Sequence, residues 1–209
     1  MRPGWTYLSN QFITKAQFEE SNLFKRPDRY KGEDLVSGKN KKTTFSFSEV
    51  HAEEKKTTHS NGKSKTTYST IFKGIFMIAD FNKHIKCETY VYTTGGKFWS
   101  KYKRVKMEDP EFESRFDVFS DDQIEARYIL TPAMMRRIVQ LEKKFNCKLY
   151  LSFIGNHVYI AMGNSMNYFE PDVTKEISPA AMEEIVKEMD ECISIIEDLD
   201  LNTRIWTKE

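Results

Sequence analysis

Glu49, His51 and Glu53 stand at alternate positions in the segment Ser48-Glu49-Val50-His51-Ala52-Glu53-Glu54. On a strand this spacing puts all three side chains on one face. A carboxylate–imidazole–carboxylate row can bind a transition metal or relay protons. Asp80, Asn82 and His84 make a second polar cluster, just after an apolar stretch, where strand-end loops carry active sites. Each has a plainer reading: a solvated strand face for the first, ordinary turn chemistry at Asp80-Phe81-Asn82 for the second. Asp117, Asp121 and Asp122 gather carboxylates around a helix start, where the helix dipole accounts for Asp121 and Asp122 without a ligand. Gly-rich phosphate loops, His-Glu-x-x-His and Gly-x-Ser-x-Gly are all missing from the sequence. We therefore assign no catalytic residue, no metal ligand and no cofactor.

The basic residues offer a different chemistry. Net charge is only +1, yet residues 25–106 hold 19 basic and 8 acidic residues, a net of +11. Residues 172–200 hold 10 acidic and 2 basic residues, a net of −8. Lys55, Lys56, Lys63 and Lys65 flank an Asn61-Gly62 pair, and such a cluster can meet the phosphates of nucleic acid or lipid. With no arginine and only Tyr68 near for stacking, sequence-specific nucleic-acid recognition is not expected. The segment FWSKYKRVK interleaves Phe98, Trp99 and Tyr102 with Lys101, Lys103, Arg104 and Lys106. Aromatic rings sit at a membrane interface while lysines meet head groups. Trp99, Lys101, Tyr102, Lys103 and Arg104 are the candidate ligand-binding residues, against the simpler alternative of an amphipathic strand with a solvated basic face.

These side chains must be positioned by a chain of 209 residues, which suits a single domain. A domain this size buries about 70% of its unfolded surface and needs neither disulfide nor metal to fold. Cys87, Cys147 and Cys192 are odd in number and far apart, as expected for reduced cytoplasmic thiols. The longest apolar run, Ile75 to Ala79, is far shorter than the roughly 20 residues a membrane helix needs, so a soluble chain is expected.

We read residues 1–42 as an N-terminal helix and loop extension and 43–200 as an α+β core. Thr14 and Gln17 form a capping box for a short helix within 12–24. Residues 24–40 read as loop with a brief strand at Asp34 to Ser37. Two long strands should leave the core and meet at Asn61-Gly62, the φ > 0 pair of a type I′ turn. Ile71 to Phe81 is apolar on both parities, as for a strand covered on both faces. Ser120 with Gln123 reads as a capping box, and Thr131-Pro132 as the cap and first residue of the next helix. Met134, Ile138, Leu141 and Phe145 form that helix's buried stripe. A Gly155-Asn156 turn pairs Phe153 with Val158, Leu151 with Ile160 and Leu149 with Met162. A long C-terminal helix follows, able to cover the sheet or to pair with a second copy as a homodimer. The fold expected is a mainly antiparallel sheet of six or seven strands with one internal and one C-terminal helix, in one version a small pleckstrin-homology-like barrel.

The phrases Tyr30–Gly38 (YKGEDLVSG), Phe47–Glu53 (FSEVHAE), Phe72–Lys83 (FKGIFMIADFNK) and Phe116–Pro132 resemble a bacterial domain-of-unknown-function family, number 3137. The resemblance spans residues 30–163. It implies the soluble part of proteins that often carry hydrophobic spans ahead of this domain, and it brings no functional residues. The functional expectation is a non-catalytic binding or scaffolding domain at the cytoplasmic membrane face, whose partner is an anionic membrane surface or another protein. The alternative is a metal-dependent enzyme using His51 with Glu49 and Glu53, or Asp80 with His84.

Overall fold

The computed structural model describes residues 4–60, 63–81, 85–95, 102–163 and 179–201. In chain order the elements are β1 (Thr6–Leu8), α1 (Lys15–Glu20), β2 (Arg29–Asn40), β3 (Thr43–Ser60), β4 (Lys63–Asp80), β5 (Thr89–Thr93) and β6 (Lys103–Val105). Then come α2 (Pro110–Arg115), β7 (Phe116–Ser120), α3 (Gln123–Ile129), α4 (Pro132–Phe145), β8 (Lys148–Ile154), β9 (His157–Gly163) and α5 (Pro179–Asp198). The nine described strands form one antiparallel sheet in the order β1-β2-β3-β4-β9-β8-β5-β7-β6. The sheet is open: its edges are three-residue strands, β1 and β6, that pair with β2 and β7 and not with each other. The barrel expectation is therefore corrected. An open sheet leaves two faces to bury, and the chain covers both.

One face carries Phe45, Phe47, Ile75, Met77, Val91, Leu149, Leu151, Val158, Ile160 and Met162, packed against residues of α2, α3, α4 and α5. The other carries Val50, Ala52, Phe72, Phe76, Tyr90, Tyr92, Tyr159 and Ala161, covered by Ile13, Phe18 and Leu23 from around α1. This division explains why β4 is apolar on both parities. Its odd residues Ile75 and Met77 face the helices, and its even residues Phe72 and Phe76 face α1.

Buried hydroxyls fasten the N-terminal segment to its face. Ile13 N–H donates to Ser48 Oγ at 3.0 Å, Tyr30 Oη to Ile13 O at 2.8 Å, and Ser152 Oγ to Ser21 O at 2.8 Å. Burying backbone without such partners would leave unsatisfied polar groups.

β2 is far longer than the brief strand expected. It pairs with β3 from Arg29↔Glu53 to Asn40↔Thr43, interrupted between Glu33 and Val36. There Asp34 adopts φ 60 and its carboxylate accepts from Tyr7 Oη at 2.5 Å. A second irregularity leaves Ile71 unpaired between Ala52↔Phe72 and Glu53↔Thr70. Within β2, Gly32 admits no side chain: a Cβ there would lie 2.4 Å from Glu49 O and 2.8 Å from Phe12 Cβ. Gly32→Ala must push β2 off β3, and overpacking of this kind costs about 1–3 kcal/mol. The expected outcome is that loss in urea unfolding, with the m-value unchanged.

Thr14 caps α1 through the expected capping box, and Thr131 caps α4 with Pro132 at its start. Ser120 does not cap α3. Asp122 does, accepting from Ile124 N–H and Glu125 N–H, while Ser120 Oγ is held between Glu88 O and Thr89 Oγ1 at the end of β7. The β8–β9 register is the expected one, pair for pair. In α5, Cys192, Ile193, Ile195 and Ile196 are buried in the core on the helix-covered face.

Candidate functional site

Three places gather the residues singled out by the sequence. The first is the β3–β4 hairpin. β2 pairs with β3 only as far as Glu53, and β9 pairs with β4 only from Gly74 onward. From Glu54↔Ser69 to Ser60↔Lys63 the two strands therefore pair with each other alone. At about 3.3 Å per residue, those seven pairs make an arm about 23 Å long. Asn61 and Gly62 lie outside the described residues, and the pairing ends at Ser60↔Lys63.

Cross-strand pairing sorts the arm's side chains. Lys56 and Lys65 fall on one face; Lys55, His59 and Tyr68 fall on the other. Lys55, Lys56 and Lys65 are exposed. The one arm carboxylate, Glu54, is shared between Lys56 at 3.2 Å and Lys25 at 3.3 Å, which holds its pKa below the usual carboxylate value. Such exposed pairs are weak and exchange readily with other ions. At the arm's root Arg29 lies over the Tyr68 ring at 3.3 Å, and Asp28 accepts from Lys55 N–H at 2.6 Å.

The second place is the aromatic–basic segment. Trp99 and Lys101 lie outside the described residues. Tyr102 Oη donates to Glu88 Oε2 at 3.0 Å, beside a second phenol, Tyr90, at 2.5 Å. Arg104 is gripped by Glu113 at 2.6 Å and Asp117 at 2.7 Å, which also raises its pKa. A guanidinium held by two carboxylates is spent on joining β6, α2 and β7. Lys103 and Lys106 remain exposed. Asp117, Asp121 and Asp122 all have structural partners: Arg104, the Glu88 N–H and the start of α3.

The third place surrounds His51. Glu49 and His51 line a 290 Å³ cleft with Lys31, Glu33 and Lys73. Glu49 is buried, and Glu53 stands 4.0 Å from His51 Nε2, whose hydrogen bond goes to Thr70 Oγ1 at 2.9 Å. Burial lowers the His51 pKa, Glu53 opposes that shift, and the charges of Lys31 and Lys73 reinforce it. The imidazole is therefore neutral at pH 7. In an NMR titration, His51 is expected to protonate with a midpoint below the ordinary 6.5. Because the folded-state value is the depressed one, its contribution to stability is present above 6.5 and is lost as pH falls through the folded-state midpoint.

Asp80 belongs to a different region. It pairs with His157, 3.7 Å away, and lies seven residues along β4 from Lys73, the partner of His51, a distance of about 23 Å. His84 and Asn82 lie outside the described residues. Among the described residues no group of three or more His, Cys, Asp or Glu side chains is arranged to hold a metal. Burial pushes the Cys87 thiol up to about 12 and the Cys147 thiol up to about 11, so neither is an activated nucleophile.

A larger cavity of 750 Å³ adjoins the His51 cleft, sharing His51 and Lys73. Its other walls come from Thr70–Phe72 of β4 and from the corner between α4 and β8, with Asn146, Cys147 and Tyr150. Sequence reading missed it because its sides lie some seventy residues apart in the chain.

Against known families, the model described as "Protein of unknown function (DUF3137)" matches residues 70–201. No curated protein matches the chain. Among solved structures the chain is similar to the crystal structure of the mycobacterial trehalose monomycolate transport factor A, TtfA, at 10% identity. That alignment covers 93% of this chain and 87% of the other, with a TM-score of 0.46. No helix among the described residues is long and apolar enough to cross a membrane. With the family model spanning residues 70–201, from within β4 through the end of α5, the chain belongs to the DUF3137 family, whose function is unknown.

Proposed function

We propose that this is a non-catalytic binding domain that docks on the anionic cytoplasmic face of a membrane through its β3–β4 arm. The observation that carries this reading is the arm's geometry. Four lysines stand on a two-stranded ribbon about 23 Å clear of the sheet, with one carboxylate among them. Lysines near an anionic leaflet contribute about 1 kcal/mol each. A ribbon rich in threonine presents them without an apolar face that would need burial. The candidate residues Trp99, Lys101 and Lys103 would add a second contact, whereas Arg104 and Tyr102 act inside the fold. A metal-dependent enzyme gains no support from the arrangement around His51, since Glu49, His51 and Glu53 do not converge on a metal position and Asp80 lies far from them. Co-sedimentation with vesicles tests the proposal. Binding to phosphatidylserine-containing vesicles that fades with salt supports it, and equal, negligible binding to anionic and neutral vesicles removes it.

A further inference from the structure

Lysine holds one charge from about pH 5 to 8, whereas histidine changes its charge there. The arm carries one histidine. His59 stands opposite Ser64 in the β3–β4 register, one pair before the last, and its side chain is exposed. Alternation puts it on the face that carries Lys55 and Thr57 from β3, and Ser64, Thr66 and Tyr68 from β4. No other strand pairs with the arm at this level. None of these neighbours is a carboxylate. The arm's acid, Glu54, falls on the opposite face, where Lys25 and Lys56 share it. A charged His59 ring therefore adds to Lys55 and is not neutralised within the ribbon.

The ring's hydrogen bond suits either charge. Ser64 Oγ lies 2.8 Å from His59 Nδ1. A hydroxyl both donates and accepts. It can give its proton to Nδ1 of the neutral ring, and it can accept the Nδ1–H of the protonated one. Protonation thus requires only a turn of the Ser64 hydroxyl, and Nε2–H remains the donor offered outward in both states.

We infer that His59 is a proton-dependent head-group contact of the arm, donating from Nε2 to the phosphate of an anionic lipid and binding it more strongly when the ring is charged. The inference rests on the membrane docking proposed above and adds that docking tightens as pH falls. The surface itself works in the same direction. At a potential of about −30 mV the proton concentration at an anionic leaflet is about threefold that of bulk solution.

Co-sedimentation of the full chain with phosphatidylglycerol vesicles at pH 7.5 and 5.5 tests this, because the phosphodiester stays ionised at both values. Lysine stays charged across the interval, and Glu54, held below the usual carboxylate value, stays ionised. Histidines elsewhere in the chain titrate as well, so comparison with His59→Gln isolates this ring. The unaltered chain should partition about fivefold more strongly at pH 5.5, the gain from one further basic group at an anionic surface. His59→Gln should match it at pH 7.5 and lose that gain. His59→Lys should bind about fivefold more strongly at pH 7.5 and show no further gain at 5.5. Negligible vesicle binding of the unaltered chain at both pH values removes the docking proposal and this inference with it. Vesicle binding with the same pH response in His59→Gln as in the unaltered chain overturns this inference alone, as does a loss in His59→Gln that is equal at both pH values.

Discussion

Phe18→Ala is expected to lower the stability of the domain by about 3–5 kcal/mol, the range for removing a fully buried aromatic side chain. Phe18 is 1% exposed and sits at the centre of a ring cluster, with Phe76 at 5.0 Å, Tyr30 at 5.2 Å, Phe24 at 5.4 Å and Phe72 at 6.1 Å between centroids. α1 is only six residues long and would not hold by itself in water. Its helix survives because Phe18 inserts between rings of β2 and β4 while Ser48 and Ser152 bind the flanking backbone. Removing the ring leaves a cavity under the whole segment. Urea unfolding should show the loss, and exchange of the amides of residues 13–23 should rise first. A loss below 1 kcal/mol would mean the N-terminal segment does not cover this face in solution.

Replacing Lys55, Lys56, Lys63 and Lys65 with glutamate should reduce partitioning onto phosphatidylserine vesicles about a thousandfold, at about 1 kcal/mol per lysine lost. Stability should hardly change. In strand pairing residues 54–60 and 63–69 meet only each other, and the exposed ion pairs they make are worth little. Charge reversal at Arg104 would behave in the opposite way. It would strand Glu113 and Asp117, disturb β6, and leave vesicle binding largely intact.

The elements legible in the sequence were those whose local pattern and tertiary role agree. In β8 and β9, alternating apolar residues and a Gly-Asn turn specify one register, and that register is found. The arm was legible for a similar reason, since Asn61-Gly62 sits between two runs with nothing to bury. β2 was illegible because Arg29, Lys31, Gly32, Glu33 and Asp34 have no strand preference of their own. Long-range pairing with β3 holds them there, and a bulge at Asp34 breaks their alternation. Ser120 and Asp122 both fit a cap by spacing, and the choice was made by Glu88, whose carbonyl occupies the Ser120 hydroxyl. The cavity beside His51 had no local signature, because its walls come from β4 and from the α4–β8 corner, some seventy residues apart in the chain. The segment around Arg104 carried a misleading signal: its charge pattern suits a ligand surface, yet the guanidinium is tied to carboxylates from α2 and β7.

Hydrogen exchange on the intact chain, with and without phosphatidylserine vesicles, tests the role of the arm most directly. Protection confined to the amides of residues 54–69, and lost when the four arm lysines are glutamates, is the predicted result. Vesicle-induced protection that appears elsewhere in the sheet and spares the arm would contradict it.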